Sequence, residues 1–207
     1  MIIIDFSDGS SLVFHLKLTG QLIYNAQPSR FTRKVFNFED GSRLVFNDVR
    51  KFGWWKRVKS TKKMEEALGP EALDLGLQGL KNLLSKRPDA KIKPFLMDQK
   101  IIAGIGNIYS DEILFAAKVQ PLRRAKTLSD KEIKLIHQNI GRILSEAIKY
   151  NGSSVEHYLD ACGKKGDYVK QHKVYQKEGQ NCPRCGGRIK RVKIGGRSAR
   201  FCPYCQK

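Results

Sequence analysis

The sequence predicts an α+β chain: a partial antiparallel β-sandwich, then a helical region, then a C-terminal β-hairpin that carries four cysteines. Three observations predict it. Residues 1–58 show short apolar-alternating runs punctuated by turns at Asp8-Gly9 and Asp40-Gly41. Residues 59–172 switch to helical spacing. Residues 173–207 contain two Cys-x-x-Cys pairs around a glycine-flanked, basic stretch.

Each element follows in order. Ile2–Phe6 reads as a strand that enters the turn Ser7-Asp8-Gly9-Ser10. Ser11–Leu18 alternates, with Leu12, Phe14, Leu16 and Leu18 on one face and Val13, His15 and Lys17 on the other. Phe36–Phe38 and Arg43–Phe46 flank Glu39-Asp40-Gly41-Ser42 as a hairpin, and Trp54–Val58 supplies one more strand. Short helices are predicted over Lys62–Leu68, Leu77–Ser85 and Lys91–Asp98. Lys100–Gly106 reads as a turn that leads into a helix over Asn107–Ala117. Ser129, with Glu132 three residues on, is a capping box. It opens a helix striped by Ile133, Ile136, Ile140, Ile143, Leu144 and Ile148 and closed by Asn151-Gly152. A further helix is predicted from Ser153 to about Ala161, then a flexible loop over Gly163–Gly166.

Lys and Arg total 39 against 20 Asp and Glu, a net charge of +19 over 207 residues. Such an excess on a folded chain points to a polyanionic partner, nucleic acid first. An anionic membrane fits less well, because no basic amphipathic helix stands out. No apolar run reaches the length of about 18 residues that a membrane-spanning helix needs. The start, Met1-Ile2-Ile3-Ile4-Asp5, lacks the basic region of a secretory leader.

Cys182-Pro-Arg-Cys185 and Cys202-Pro-Tyr-Cys205 lie 16 residues apart. Two such knuckles complete an all-thiolate tetrahedral site for one structural Zn2+, with no open position for a substrate or water. The arms between them carry Arg188, Lys190, Arg191, Lys193, Arg197 and Arg200, a shape suited to a phosphate backbone. Unpaired thiols and the missing leader place the chain in a reducing, cytoplasmic setting. The fifth cysteine, Cys162, reads as a semi-buried helix residue.

Two turns carry possible binding chemistry. In Gly104-Ile105-Gly106-Asn107-Ile108-Tyr109, glycines permit close approach, Asn107 suits an N-cap, and the helix N-terminus suits a phosphate. A tight turn made for packing alone is the other reading. In Asp48-Val49-Arg50-Lys51-Phe52-Gly53, Arg50 and Phe52 at a loop tip suit insertion into a duplex beside an extruded base. The residues alone favour the plainer reading, a surface loop with Phe52 packed inward.

These pieces, in this order, resemble the formamidopyrimidine-DNA glycosylase family of helix–two-turn–helix repair enzymes. The matching segments are His15–Gly20, Asp48–Gly53, Leu68–Glu71, Ile92–Gln99, Ala103–Tyr109, Val174-Tyr175 and the zinc finger through Gln206. The sister enzyme endonuclease VIII shares the glycine turn and the finger, but Arg50-Lys51-Phe52-Gly53 sides with the first family. The resemblance implies a sandwich part at 1–58, a helix–two-turn–helix domain at 59–172 and a zinc finger at 173–207. It implies a monomer that acts on oxidised purines in double-stranded DNA, near the nucleoid, through a Schiff base. By position it assigns DNA contacts to Leu18, Arg50, Phe52, Lys93, Asn107 and Arg197. Arg50 would read the base opposite the extruded one and Phe52 would wedge the neighbouring step. Leu18 replaces the usual methionine, and Lys93 would line the DNA-facing side. Arg197 would also donate the proton of δ-elimination. Lys165, Gly166, Asp167 and Tyr168 match the mobile segment that covers the flipped base.

One departure stands out. The family's chemistry rests on an N-terminal proline nucleophile with a following glutamate, and on a lysine that assists β-elimination. None has a counterpart in this sequence. The expectation is therefore an N-terminally truncated, inactive glycosylase that still binds damaged DNA, with a zinc-ribbon protein that binds RNA or another protein as the plainer alternative.

Overall fold

The computed structural model describes residues 1–155 and 158–207. It divides into two compact units: Met1–Glu65 with Ala147–Gln171, and Glu66–Glu146 with His172–Lys207.

The first unit holds β1 (Ile2–Asp5), β2 (Ser11–His15), β3 (Gly20–Tyr24), β4 (Thr32–Asn37), β5 (Arg43–Asp48) and β6 (Trp54–Val58), followed by the single-turn α1 (Lys62–Glu65). Two antiparallel sheets form, in strand order β1-β2-β6 and β3-β5-β4. They meet face to face: Leu12 and Phe14 of the first bury against Leu22, Leu44 and Phe46 of the second. Phe14 stands edge-on to Phe36 and Phe46, with ring centroids 5.5 and 5.8 Å away. This is the sandwich the alternation predicts.

Two details differ from the sequence reading. The strand beginning at Ser11 stops at His15, because Lys17 adopts φ +53 and turns the chain. Leu18 therefore leaves the core side and is 55% exposed. Strand β3 lacks clear alternation because Leu22 and Ile23 are both buried, one on each face. The free edge of β3 is met by the segment after residue 147: Tyr24 N–H donates to the Ala161 carbonyl at 2.8 Å. That segment joins the sandwich instead of the helical region.

The helix predicted from Ser153 to about Ala161 does not form among the described residues. Residues 153–155 and 158–161 are not helical, and the remaining two positions of that stretch lie outside the described residues. Cys162 is accordingly not a semi-buried helix residue; it is exposed in a turn whose Asp160 carboxylate accepts the N–H groups of Cys162 and Lys164.

The second unit holds α2 (Leu77–Ser85), α3 (Ile92–Met97), α4 (Asn107–Ala116), most of α5 (Asp130–Lys149), and the hairpin β7 (Lys190–Ile194) and β8 (Arg197–Phe201). The capping box forms as predicted: Ser129 N–H donates to Glu132 Oε2 at 2.8 Å, and Glu132 N–H to Ser129 Oγ at 3.3 Å. Ile133, Ile136, Ile140, Ile143 and Leu144 are buried, whereas Ile148, the last residue of the stripe, is 63% exposed. The α5 helix closes where Gly152 N–H reaches the Ala147 carbonyl at 2.8 Å. Among the described residues no helix is long and apolar enough to cross a membrane.

The cysteine module does not stand apart from the helices. Glu112, 4% exposed on α4, accepts the backbone N–H groups of Lys173, Val174 and Tyr175 at 2.9, 3.0 and 2.9 Å. Val174, Cys182, Ile189 and Cys202 bury against Phe115 of the same helix.

Candidate nucleic-acid interface

The metal site comes first, because it shapes the hairpin. The Sγ atoms of Cys182, Cys185, Cys202 and Cys205 all lie within 4.8 Å of one another. Cys182 to Cys205 is 3.9 Å and Cys185 to Cys202 is 3.5 Å. A tetrahedron with metal–sulfur bonds of about 2.3 Å has edges of about 3.8 Å, so the four thiols fit a Zn2+-sized ion. Burial, with the neighbouring thiols of Cys185, Cys182 and Cys202, pushes the Cys205 thiol up to about 12. A cation removes that penalty, since it binds the thiolates that crowding disfavours. The knuckles are built by backbone bonds, Cys182 N–H to the Gly187 carbonyl at 2.7 Å and Gln206 N–H to the Cys202 carbonyl at 3.0 Å.

Hairpin β7–β8 leaves Arg188, Lys190, Arg191, Lys193 and Arg197 exposed. Arg200 differs: it is 8% exposed, its Nε reaches Glu178 at 3.3 Å, and its guanidinium lies 4.6 Å from the Tyr175 ring centroid. Arg197 opens β8 directly after the Gly195-Gly196 turn.

Lys93 corrects the sequence reading. Its side chain is 1% exposed, so its ammonium does not line a DNA-facing surface. It donates to Asp111 Oδ1 and to the Ser198 carbonyl, both at 2.6 Å. Asp111 Oδ2 in turn accepts the Arg200 N–H at 3.1 Å. The Ser198 carbonyl and the Arg200 N–H are the groups that β8 directs away from β7, so the two side chains stand in for a missing third strand. Burial pushes the Asp111 carboxyl up to about 6 against the opposing pull of Lys93, and lowers the Lys93 ammonium.

Asn107 is the first residue of α4, and Gly106 occupies the N-cap position with no side-chain cap bond. Asn107 Oδ1 is buried with no hydrogen-bond partner among the described residues. The turn before it is held by Gln99, whose Oε1 accepts Gly104 N–H at 3.0 Å and whose Nε2 donates to the Ile105 carbonyl at 2.8 Å. Gly104 has φ +93, a conformation that favours glycine. The turn thus presents the start of α4 with its first amide groups, an arrangement suited to a phosphate.

In the first unit, Phe52 is 56% exposed. The inward packing that the residues alone favour is not what forms. The Arg50 guanidinium lies 5.0 Å from the Phe52 ring centroid, and Leu18 is exposed on the neighbouring turn. Beneath them sits Asp48, 1% exposed, whose carboxylate accepts from Thr19 and from backbone N–H groups of the turn. Sequence reasoning missed Thr19 and Asp48, and likewise Asp111 and Glu112. The available signal was an acid directly before a basic tip, and an acidic pair inside an otherwise apolar helix.

The lid expected at residues 165–168 is fastened. Gly166 N–H donates to Ser154 Oγ at 2.7 Å, Asp167 N–H to the Tyr150 carbonyl at 2.8 Å, and Tyr168 N–H to the Gly152 carbonyl at 3.0 Å. Gly166 and Tyr168 are buried, while Lys165 and Asp167 face solvent.

Known proteins carry the same domains in the same order. The formamidopyrimidine-DNA glycosylase N-terminal domain matches residues 1–55, its H2TH domain residues 68–158, and the zinc finger of that glycosylase and of isoleucyl-tRNA synthetase residues 179–207. A formamidopyrimidine-DNA glycosylase of Pelotomaculum thermopropionicum is 39% identical over all of this chain and 78% of its own length. One from Listeria innocua is 41% identical over 95% of this chain and 75% of its own. The Lactococcus lactis Fpg solved in complex with abasic-site DNA superposes with a TM-score of 0.89 at 34% identity, covering 99% of this chain and 78% of that one. The same Lactococcus protein solved with N7-benzyl-Fapy-dG DNA gives 0.89 as well. With this identity, this coverage and all three domain matches in order, the chain belongs to the formamidopyrimidine-DNA glycosylase family.

Proposed function

We propose that this chain serves base-excision DNA repair by recognising oxidised purines, 8-oxoguanine and formamidopyrimidines, in double-stranded DNA. The observation that carries the reading is the exposed Arg50–Phe52 tip with Leu18 beside it, set on a buried polar base. Large apolar side chains held out in water at a turn gain by entering a base stack. Arg50 presents a planar donor fork to the base left opposite the gap, and Phe52 fills the step next to it.

In the other unit, the start of α4 with Asn107, and Arg197 on the basic hairpin, contact phosphates near the lesion. These contacts position and add salt-dependent affinity without reading sequence. The ion held by Cys182, Cys185, Cys202 and Cys205 is one structural Zn2+, and it acts only by shaping the hairpin. Arg197 is the proton donor for strand cleavage after base loss. Lys165 and its neighbours flank the extruded base from a fastened segment.

Formation of a Schiff base with the sugar requires a placed, unprotonated amine. The residues named above are proposed to bind and position the damaged duplex for that step, with Arg197 as the later proton donor. The test is competition binding, with zinc-loaded protein, of a duplex bearing a tetrahydrofuran abasic analogue opposite cytosine against the intact duplex at equal salt. At least tenfold preference for the damaged duplex is expected. Equal affinity for both would reduce the chain to a general polyanion binder and contradict the reading.

A further inference from the structure

The tip residues stand on a base that none of them supplies. Thr19 is 4% exposed and Asp48 1% exposed, so neither reaches a ligand. Thr19 Oγ1 donates to Asp48 Oδ1. Arg50 N–H then donates to Thr19 Oγ1 at 3.1 Å and to Asp48 Oδ1 at 3.2 Å, and Gly53 N–H donates to Asp48 Oδ2 at 2.6 Å. A hydroxyl has one proton and two lone pairs, so Thr19 gives to one turn's carboxylate while it receives from that turn's amide.

Thr19 belongs to the turn that carries Leu18. Asp48 ends β5 and opens the turn that carries Arg50 and Phe52. The two turns are neighbours because Gly20 pairs with Asp48 across β3 and β5. Each is also tight by itself. The first closes with Gly20 N–H on the Leu16 carbonyl at 2.8 Å. The second bends at Lys51, φ +61, and ends at Gly53. A Cβ on Gly53 would lie 2.8 Å from Phe46 Cζ and 3.0 Å from Asp48 Oδ2, so only glycine lets its amide approach the carboxylate.

We propose that Thr19 and Asp48 are positioning residues that lock the Leu18 turn and the Arg50–Phe52 turn into one rigid reading head, and that discrimination of damaged from intact duplex depends on this lock. The inference rests on the role proposed above for Arg50 and Phe52.

Closing the β5–β6 connection does not require this network, since a short turn needs no buried charge. What it supplies is order in advance of binding. A flexible tip with 56% of Phe52 exposed would fold that ring back onto the sandwich. A fixed one keeps ring and guanidinium in the inserting geometry and avoids an ordering cost on binding. Burial raises the Asp48 carboxyl, but bonds from Thr19, Gly53, Arg50 and Lys51 outweigh it and leave the group below its usual range. The carboxylate therefore stays charged at neutral pH and keeps accepting.

The test uses the full zinc-loaded chain with Thr19→Val, Thr19→Ser and Asp48→Asn. Amide hydrogen exchange at Arg50 reads the lock in free protein, and the damaged-to-intact affinity ratio reads its consequence. Thr19→Val is expected to speed exchange at Arg50 at least tenfold and to lower the ratio at least fivefold, with intact-duplex affinity within twofold. Thr19→Ser is expected to restore both. If Thr19→Val melts, Asp48→Asn, which keeps the shape but turns one of the two accepting oxygens into a donor facing a donor, carries the same expectation. Unchanged exchange means no lock, and faster exchange with an unchanged ratio means a purely structural bond; either overturns the proposal. A wild-type ratio near one instead removes the function proposed for the tip, and with it the dependence inferred here, while exchange still reports the lock.

Discussion

Asp111 and Glu112 are adjacent on α4, and both are buried, at 1% and 4% exposure. Asp48, Lys93, His172 and Gln206 are equally enclosed. The acids and Gln206 accept backbone N–H groups and Lys93 donates to a carbonyl, and each of these bonds orients a strand, a turn or a segment start. Buried polar groups left unmatched cost more than matched ones gain, so such contacts act as geometric constraints. His172 converts this burial into acid sensitivity. Burial, then the charge of Lys177, lowers it from 6.5 to about 4. Its folded value lies below its unfolded one, so the stability it contributes is present above pH 6.5 and is lost as pH falls toward 4. The unfolded chain takes up a proton in that window that the folded chain refuses, a slope of up to about 1.4 kcal/mol per pH unit. Denaturant melts at pH 7 and 4.5 should therefore show a smaller acid loss for His172→Gln than for wild type. Equal losses would mean that His172 is not held neutral.

At the scale of elements, the strands and helices with strong periodicity were legible and the ties between them were not. Leu77–Ser85 and Trp54–Val58 form at the predicted bounds, because apolar spacing and flanking breakers agree. Strand β3 escaped because burial on both faces erases alternation. Lys93 escaped because lysine is rarely buried and the family resemblance assigned it to the DNA-facing side. Its observed place, at the outer edge of β8 with Asp111, makes a specific prediction. Lys93→Met strands a buried carboxylate and should destabilise the second unit by about 3–5 kcal/mol. The double variant Lys93→Met/Asp111→Leu removes that charge, but it leaves the Ser198 carbonyl and the Arg200 N–H unpaired, at about 1–3 kcal/mol each. It should recover only in part. Full recovery in chemical denaturation would show that β8 needs no side-chain partners.

For the whole molecule, charge and the cysteine spacing were the most readable signals; the charge belongs to the whole chain and the spacing to the second unit's hairpin. The four cysteines were legible, because their type and spacing carry their chemistry openly; Arg50 and Phe52 entered only through the family resemblance, since the residues alone favoured a plain surface loop, and the roles of Asn107 and Arg197 rest on the function proposed above. The candidate site was illegible at Thr19 and Asp48, whose contribution lies in a contact between turns that are far apart in sequence. Metal removal should separate the two contributions. Structural zinc sites in small modules contribute about 10–16 kcal/mol to folding, so a chelator should unfold the hairpin. Affinity for intact and damaged duplex should then fall together, at least tenfold, because phosphate contacts are lost. The ratio between them should hold, because the tip lies in the other unit. A chelated chain that binds as before would contradict a structural metal.

The claim that the Arg50–Phe52 tip enters the stack of damaged DNA is tested most directly by a 2-aminopurine placed beside a tetrahydrofuran site in duplex DNA. With protein in excess, the wild-type chain should change its emission, and should leave unchanged the emission of the same fluorophore in an intact duplex. Phe52→Ala, at concentrations where it is bound, should lose that change. A bound wild-type chain that leaves the fluorophore undisturbed, or a Phe52→Ala chain that disturbs it equally, would contradict insertion.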